Sequence, residues 1–203
     1  MNARVQIIEP ISPILVPQVR VDVARTLDDL VQVAAIRAVV YMGEQVCPFA
    51  EEFDGNDFSG ATHLIARSAG EPVGVMRLRW FAEFVKIERF AVLKEHRGGE
   101  VARALFTAGY DLAARKGYRR VLGYVQVRLW PFMQRVGGLT RRPGRARFVV
   151  SDHEYMEVER ALTPPADAVS IDADPLVVLR PEGAWRHPGV LDRSAGRPAT
   201  NPH

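Results

Sequence analysis

The first part of the chain changes from strand-like to helix-like spacing of its apolar residues. Residues 19–24 alternate in the manner of a short strand. Thr26 then precedes Asp29 by three residues, which is the spacing of a helix-capping box. The residues that share one face of the predicted helix are Leu30, Val33, Ala34, Arg37, Val40 and Tyr41. Gly43 ends this helix, and an acidic loop extends from there to Gly60.

The pattern up to residue 162 predicts further strands and helices in alternation. Strands rich in β-branched and aromatic residues are predicted at 61–67, 72–81, 84–92, 119–127, 148–150 and 153–161. The first two and the last two of these strands are joined by short turns and form hairpins. Helical spacing predicts helices over 99–116 and 128–136, each followed by a glycine. This order of elements predicts a mixed α/β domain.

The segment from Lys86 to Leu105 combines a strand, a glycine turn and the start of a helix. Its turn contains Arg97, Gly98 and Gly99. The first N–H groups of a helix have no intrahelical partner and its dipole favours negative charge, so we expect an anion site that suits a pyrophosphate. The spacing excludes a Walker loop and a G-x-G-x-x-G dinucleotide-binding turn. An ordinary strand–turn–helix without a ligand is the alternative.

The same segment resembles motif A of the GNAT acyltransferase superfamily, in which a strand ending in x-A-V precedes R-G-x-G-x-[GA]. The matching residues are Phe90, Ala91, Val92, Arg97, Gly98, Gly99, Glu100, Val101 and Ala102. The resemblance implies a single domain with a mixed, mostly antiparallel sheet, a splayed parallel strand pair and helices on both faces. It also implies that these residues bind acetyl-CoA or another acyl-CoA. Glu100 replaces the middle glycine of the motif, and its carboxylate would repel a pyrophosphate unless it turns outward.

The resemblance further implies a catalytic base on the strand before the turn. Glu88 would take the proton of the amine through water. Strand alternation predicts that Glu88 shares one face with Lys86 and Phe90. An ion pair of Glu88 with Lys86 or Arg89 is the alternative interpretation.

The general acid of the family has no counterpart at its usual place. Met133 occupies the position of the tyrosine that protonates the departing thiolate in many relatives. Tyr124 or Tyr155 could replace that tyrosine, or the thiolate could leave unprotonated. The sequence leaves these alternatives open.

A second resemblance is to acyl-homoserine-lactone synthases and long-chain N-acyl amino acid synthases, which share the core without a strict glycine loop. The segments that follow their pattern are 37–41, 51–54, 63–65, 74–78 and 88–92. Glu51 and Lys86 depart from that pattern, which makes N-acylation of an amino-acid-like amine the implied reaction rather than lactone formation. The implied substrate-binding residues are Arg37, Glu51, Asp54, Arg77 and Arg89. The alternative for the arginines is ion pairing with the acidic loop, and acyl-carrier protein becomes a second candidate donor.

Charge is unevenly distributed although the formal net charge is only +3. Residues 44–57 are acidic, whereas residues 97–147 are rich in arginine. A basic half suits a phosphorylated cofactor, an acidic carrier protein or nucleic acid. We do not expect nucleic-acid binding, because aromatic residues are not interleaved with the arginines and no known motif accompanies them.

The few cysteine and histidine residues do not indicate a metal site or a thiol nucleophile. Cys47 is the single cysteine, which fits a reducing compartment, and the five histidines lack metal-ligand spacing. With 47% hydrophobic and 25% charged residues and no apolar run of membrane-spanning length, we expect a globular, cytoplasmic protein without a signal peptide.

Composition also divides the chain into three parts. We expect an N-terminal extension at 1–18, the acyltransferase domain at 19–162 and a proline-rich tail at 163–203. An apolar stretch at 176–179 is expected to dock on the body or on a second protomer, and disorder is expected beyond about Asp192. The oligomeric state is open, with a homodimer as one alternative.

These patterns together predict an N-acyltransferase that moves an acyl group from acyl-CoA or acyl-carrier protein to a primary amine, in particular that of an amino acid. One alternative is a short-chain N-acetyltransferase that uses acetyl-CoA. Another is a degenerate domain that binds a ligand or partner without catalysis, for which Glu100 and Met133 are the evidence.

Overall fold

A mixed sheet forms the centre of the protein, for which a computed structural model describes residues 18–194. Its strands are β1 (Arg20–Val23), β2 (Ala61–Ser68), β3 (Glu71–Trp80), β4 (Val85–Val92), β5 (Arg120–Gln126), β6 (Thr140–Arg141), β7 (Phe148–Val150) and β8 (His153–Ala161). The strand order is β1-β2-β3-β4-β5-β8-β6, with β7 paired to the start of β8. Among the described strands only β4 and β5 pair in parallel. The predicted fold class is therefore confirmed.

The helices are α1 (Leu27–Arg37), α2 (Phe49–Glu52), α3 (Glu100–Arg115), α4 (Trp130–Gly137), α5 (Pro175–Val178) and α6 (Val190–Ser194). Thr26 and Asp29 form the predicted capping box of α1. This helix continues as a π-helix, Ala38–Glu44, which the sequence pattern did not distinguish from an α-helix. The short α2 lies in the segment predicted as an acidic loop.

Helices cover both faces of the sheet. One core, between the sheet and α3, contains Met76, Leu105 and Phe106, and a second, between the sheet and α1, contains Ile36 and Val75. The approach of α3 is close at Gly74, where an added Cβ would lie 2.8 Å from Val101 Cγ1. Glycine is favoured at this position because an added side chain would force Val101, or the helix that carries it, to shift.

The two parallel strands separate halfway along their length. Their pairing runs from Val85 opposite Val121 to Ile87 opposite Gly123 and then ends. Beyond Ile87 the backbone of β4 faces an opening instead of β5. The splayed strand pair implied by the first resemblance is therefore present.

A β-bulge occurs in β4 where the strands separate. Arg89 has a φ of +47°, and the register with β3 shifts so that Arg77 opposes Glu88 while Val75 opposes Ala91. The predicted alternation of Glu88 and Phe90 on one face is therefore wrong. Glu88 contacts Arg77, whereas the Phe90 ring stacks on Phe106 of α3 at 5.1 Å.

The segment after β8 packs along the body of the protein. The carbonyl oxygen of Glu182 accepts a hydrogen bond of 2.6 Å from Arg25, and its carboxylate contacts Thr62 at 2.6 Å and Lys116. The Trp185 side chain packs against the main core. The division into 1–18, 19–162 and 163–203 stays a prediction, and residues 1–17 and 195–203 lie outside the described part. In the part described, no helix is long and apolar enough to cross a membrane.

Candidate active site

A cavity of about 930 Å³ opens where β4 and β5 separate. The ends of both strands line it, together with the start of α3, the π-helix, α4 and the β7–β8 hairpin. Its walls combine apolar side chains such as Phe106, Phe132 and Leu139 with the charged side chains of Arg79 and Glu88. The cavity therefore connects the glycine turn to a charged region on the other side of the sheet.

The glycine turn leaves the start of α3 open for an anion. Gly99 has a φ of +96°, which favours glycine, and no side chain caps the helix there. The backbone N–H groups of Glu100, Val101 and Ala102 lie in the first turn, where no intrahelical acceptor is available. An added Cβ at Gly98 would have nothing within 4 Å, so the approach to these donors is open.

The residues predicted to bind the donor fall into two groups. Those that line the cavity are Phe90, Ala91, Val92, Arg97, Gly99 and Ala102. Gly98, Glu100 and Val101 are not part of its lining: Val101 is buried against the sheet, and Glu100 is exposed at the first helical position. Glu100 thus has the outward position that its charge requires.

Arg97 is engaged by an acidic partner across the cavity mouth. Its Nη2 lies 2.6 and 2.8 Å from the two carboxylate oxygens of Glu44, at the end of the π-helix. Its Nε donates to the Val92 carbonyl at 2.9 Å. These contacts hold Arg97 beside the strand end that leads into the turn.

A network of buried charges fastens the acidic segment to the sheet. Arg37, 2% exposed, donates through Nε to Glu52 at 2.5 Å and through Nη1 to Asp57 at 2.5 Å. Asp57 also accepts from Arg77 Nη1 at 2.8 Å, and Arg77 is fully buried. Asp54 accepts from Arg77 at 2.7 Å and from Arg89 at 2.9 Å. The arginines therefore pair with the acidic segment, which was the alternative interpretation.

Burial and ion pairing shift several pKa values in this network. Burial alone would raise the pKa of Asp54, but hydrogen bonds from Arg77 and from a backbone N–H lower it well below its ordinary value. Burial raises the pKa of Glu52 against the opposing hydrogen bond and charge of Arg37. The pKa of Arg77 is raised because its carboxylate partners outweigh the effect of burial. Both Arg77 and Asp54 are therefore charged.

The predicted substrate-binding residues differ in their access to the cavity. Asp54 and Arg89 line it, whereas Arg37, Glu51 and Arg77 do not. Glu51 contacts Ser151 in the turn of the β7–β8 hairpin. Direct substrate contacts of these residues stay predictions, and the structure brings only two of them to the cavity wall.

Glu88 lies in the cavity wall and is also paired with cations. Its carboxylate accepts from Arg77 Nε at 2.9 Å and contacts Lys86 Nζ at 2.8 Å. Its role as a base stays a prediction. Of the two ion pairs considered, the one with Lys86 is present, whereas Arg89 turns instead to α2 and Asp54.

The structure adds cavity residues that sequence reasoning did not select. Arg79 lies on the same face of β3 as Arg77, a signal that two-residue alternation could have supplied. Tyr41, Gln126 and Arg128 also line the cavity. Gln126 has no recognisable sequence signal because its partner, Tyr155, is on another strand. Within the described residues no group of three or more His, Cys, Asp or Glu could hold a metal ion.

The chain matches known proteins in sequence and in structure. Residues 31–137 match the model of the acetyltransferase (GNAT) family. The uncharacterized N-acetyltransferase YjcF of Bacillus subtilis (strain 168) is 29% identical over 115 residues, covering 57% of this chain and 81% of that protein.

Two solved structures represent the second resemblance. FeeM, an N-acyl amino acid synthase from uncultured soil microbes, superposes with a TM-score of 0.59 at 12% identity over 88% of this chain and 98% of FeeM. The CoA-dependent acyl-homoserine lactone synthase BjaI gives a TM-score of 0.56 at 16% identity over 67% of this chain and 77% of BjaI. Both likenesses show the fold. Because the family model covers more than half of the sequence, this chain belongs to the acetyltransferase (GNAT) family of N-acyltransferases.

Proposed function

We propose that this protein transfers an acyl group from acyl-CoA to the primary amine of an acceptor that also carries a carboxylate, such as an amino acid. The observation that carries the proposal is the continuous cavity between β4 and β5. It connects an uncapped helix N-terminus, suited to a pyrophosphate, to a region that contains both cationic and anionic side chains.

The donor end supports a nucleotide-linked thioester. A pyrophosphate over the Gly98–Ala102 turn would accept from backbone N–H groups, with Arg97 close by. The pantetheine and acyl chain would then lie along β4 against apolar side chains such as Leu129, Phe132 and Met133. BjaI, with a similar fold, was solved with isopentyl-CoA.

The acceptor end supports an amine with a carboxylate. Arg79 is 26% exposed in its side chain, and its Nε lies 3.8 Å from Glu88, so its guanidinium has room for a further anion. Glu88 and Asp54 provide negative charge for the ammonium group. FeeM, which shares the fold, is an N-acyl amino acid synthase. Arg37 and Arg77 would act indirectly, by fixing the acidic segment that carries Asp54.

The chemistry requires the amine to lose a proton and the thioester carbonyl to be polarised. Backbone groups of β4 beyond Ile87 are free of β5 and would supply a donor for the developing oxyanion. Glu88 would accept the amine proton through water. Replacing Glu88 with Gln should then lower turnover by about 10²–10⁴-fold while CoA affinity is retained.

Calorimetry with CoA tests the donor half of the proposal. The unmodified protein should bind CoA, and Gly98→Glu should abolish binding by adding a carboxylate where a phosphate approaches the backbone. Gly98→Ala is the matched control, because a Cβ meets nothing within 4 Å. No CoA binding by the unmodified protein would contradict the proposal.

An acylation assay with mixed amino acids and with amines that lack a carboxylate tests the acceptor half. Amino acids should be preferred, and Arg79→Ala should raise KM for them more than for simple amines. Equal use of both acceptor types would contradict this half. Acyl-carrier protein is supplied as a competing donor in the same assay. Faster acylation from acyl-carrier protein than from acyl-CoA would overturn the donor assignment.

A further inference from the structure

A thioester that reacts with an amine releases a thiolate, and a nearby proton donor makes that departure easier. Three tyrosines line the cavity: Tyr41, Tyr124 and Tyr155. The Tyr41 hydroxyl donates its proton to the Phe90 carbonyl at 2.7 Å. Tyr124 is 42% exposed, with its ring beneath the Lys86 ammonium at 4.3 Å. The Tyr41 proton is therefore already engaged, and no hydrogen bond among the described residues fixes the Tyr124 hydroxyl.

Tyr155 differs because a hydrogen-bond chain fixes the direction in which its proton points. Arg128 Nε donates to Gln126 Oε1 at 2.8 Å. An arginine can only donate, so this contact defines the oxygen of the Gln126 amide. The amide nitrogen, Nε2, lies 3.0 Å from the Tyr155 hydroxyl and must donate to it. The Tyr155 hydroxyl is thus an acceptor towards Gln126, and its own proton is free for another partner.

Neighbouring residues hold the Tyr155 hydroxyl at the opening where β4 and β5 separate. Gln126, 7% exposed, is the last residue of β5 and lies opposite Tyr155 of β8. The Phe148 ring stacks on the Tyr155 ring at 5.9 Å. Tyr155 lines the same cavity as Tyr41, whose hydroxyl donates to the Phe90 carbonyl of β4. At this point β4 lies across the opening from β5.

We propose that Tyr155 is the proton donor to the departing sulfur and that Gln126 and Arg128 are its positioning residues. The proposal rests on the proposed function. The amine nitrogen bonds to the carbonyl carbon, the C–S bond breaks, and its electron pair goes to sulfur, which takes the Tyr155 proton. Glu88 releases the proton of the nitrogen to solvent and the phenolate takes one up from solvent, so the reaction consumes no net proton.

Measuring turnover with thioester donors that differ in their leaving group tests the role of Tyr155. Tyr155→Phe should lower kcat with acetyl-CoA and with S-ethyl thioacetate by about 10²–10⁴-fold, the range for general acid catalysis. With S-phenyl thioacetate the loss should be about tenfold or less, because an arylthiolate leaves without a proton. Gln126→Leu should show the same dependence on the leaving group with a smaller loss. Tyr118→Phe is the matched control, since Tyr118 packs on Trp80 outside the cavity and should leave kcat unchanged.

A second measurement is independent of turnover. A donor to sulfur should lower the pKa of the thiol of bound CoA below the ordinary value of about 8.5 for a thiol. Titration of the thiolate ultraviolet absorbance should show this lowering in the unmodified protein and in Tyr118→Phe, and its loss in Tyr155→Phe.

Two results would overturn the assignment of Tyr155. One is an equal loss of turnover with all thioesters, which would indicate a structural role. The other is no loss of turnover with an unchanged thiol pKa. Failure of the proposed function itself is seen separately, as no turnover and no CoA binding by the unmodified protein, and it would remove this role as well.

Discussion

Arg37 shows how a single charged residue can hold the acidic segment in place. Its guanidinium, 2% exposed, pairs with the fully buried Glu52 and with Asp57. A buried ion pair contributes little net stability when intact, but removal of one partner leaves an uncompensated charge in a medium of low dielectric constant. Removing Arg37 therefore lowers the free energy of unfolding by much more than the intact ion pair contributes to it.

Arg37→Ala should lower the free energy of unfolding by about 3–5 kcal/mol. Arg20→Ala is the matched control, because the Arg20 side chain is 78% exposed in its pair with Asp22 and exposed pairs are worth at most about 1 kcal/mol. Urea unfolding of the two variants measures the difference. Equal effects would show that the charges of the Arg37 network are accessible to solvent.

His63 makes stability depend on pH near neutrality. Burial, ahead of the opposing hydrogen bond and charge of Asp57, lowers the pKa of His63, which is 4% exposed. The neutral form is therefore favoured in the folded state. Its stabilising contribution is complete above the unfolded-state pKa of about 6.5 and is lost as the pH falls below that value.

The free energy of unfolding should fall between about pH 7 and 5, and this fall should be smaller in His63→Gln. The raised pKa of Glu52 acts in the opposite sense, increasing stability as the pH falls towards the ordinary value of 4.5, and comparing the variant with the unmodified protein subtracts this effect. Asp54 and Asp57, whose pKa values are lowered, should lose their contributions only below about pH 4 in both proteins. Parallel pH profiles would contradict the assignment to His63.

At the scale of elements, the close approach of α3 to the sheet determines where the glycine turn lies. A Cβ at Gly74 would be 2.8 Å from Val101 Cγ1 and 3.2 Å from Leu105 Cδ1. Val101 is in the first turn of α3, directly after the Gly98–Gly99 turn. A displacement of this helix would therefore also move the backbone donors of the proposed pyrophosphate site.

Gly74→Ala should destabilise the protein by about 1–3 kcal/mol through overpacking and should also weaken CoA binding. Gly43→Ala is the matched control, because the nearest atom to its added Cβ is the Ala38 carbonyl oxygen at 3.8 Å. Thermal unfolding and calorimetry with CoA measure the two effects. If Gly74→Ala lost stability but bound CoA normally, helix position and donor binding would be independent.

At the scale of the whole molecule, the C-terminal segment is separated from the cavity. Glu182 and Trp185 contact the body near Lys116 and Thr62. Among the described residues, Tyr155 is the last one in the sequence that lines the cavity. The segment thus contributes packing to the fold without supplying a wall of the proposed site.

A chain that ends after Leu162 should unfold at lower urea concentration than the full chain and retain its affinity for CoA. The reason is that Lys116 and Thr62 lose their partners while the cavity keeps its lining. Asp167→Ala is a control within the same segment, since its pair with Arg186 is more than half exposed and contributes little. Loss of CoA binding by a truncated chain that remains folded would contradict this separation.

The sequence by itself predicted most strands, the longer helices and the strand–turn–helix at which the anion site is proposed. The capping box at Thr26, the hairpins and the strand–turn–helix around Gly99 were predicted because apolar spacing, caps and glycine positions are local properties of the chain. The family resemblance then implied the splayed strands. These features do not depend on which distant residues meet.

Only the tertiary structure decided how the site is assembled. The bulge at Arg89 moved Phe90 to the face opposite Glu88, because its register depends on β3. Arg37 and Arg77, predicted to bind substrate, are buried in pairs with acidic residues from another segment. The side chains of Gln126 and Tyr155 come within hydrogen-bond distance only when β5 pairs with β8. Each of these outcomes depends on contacts between segments far apart in sequence, and local periodicity carries no information about such contacts.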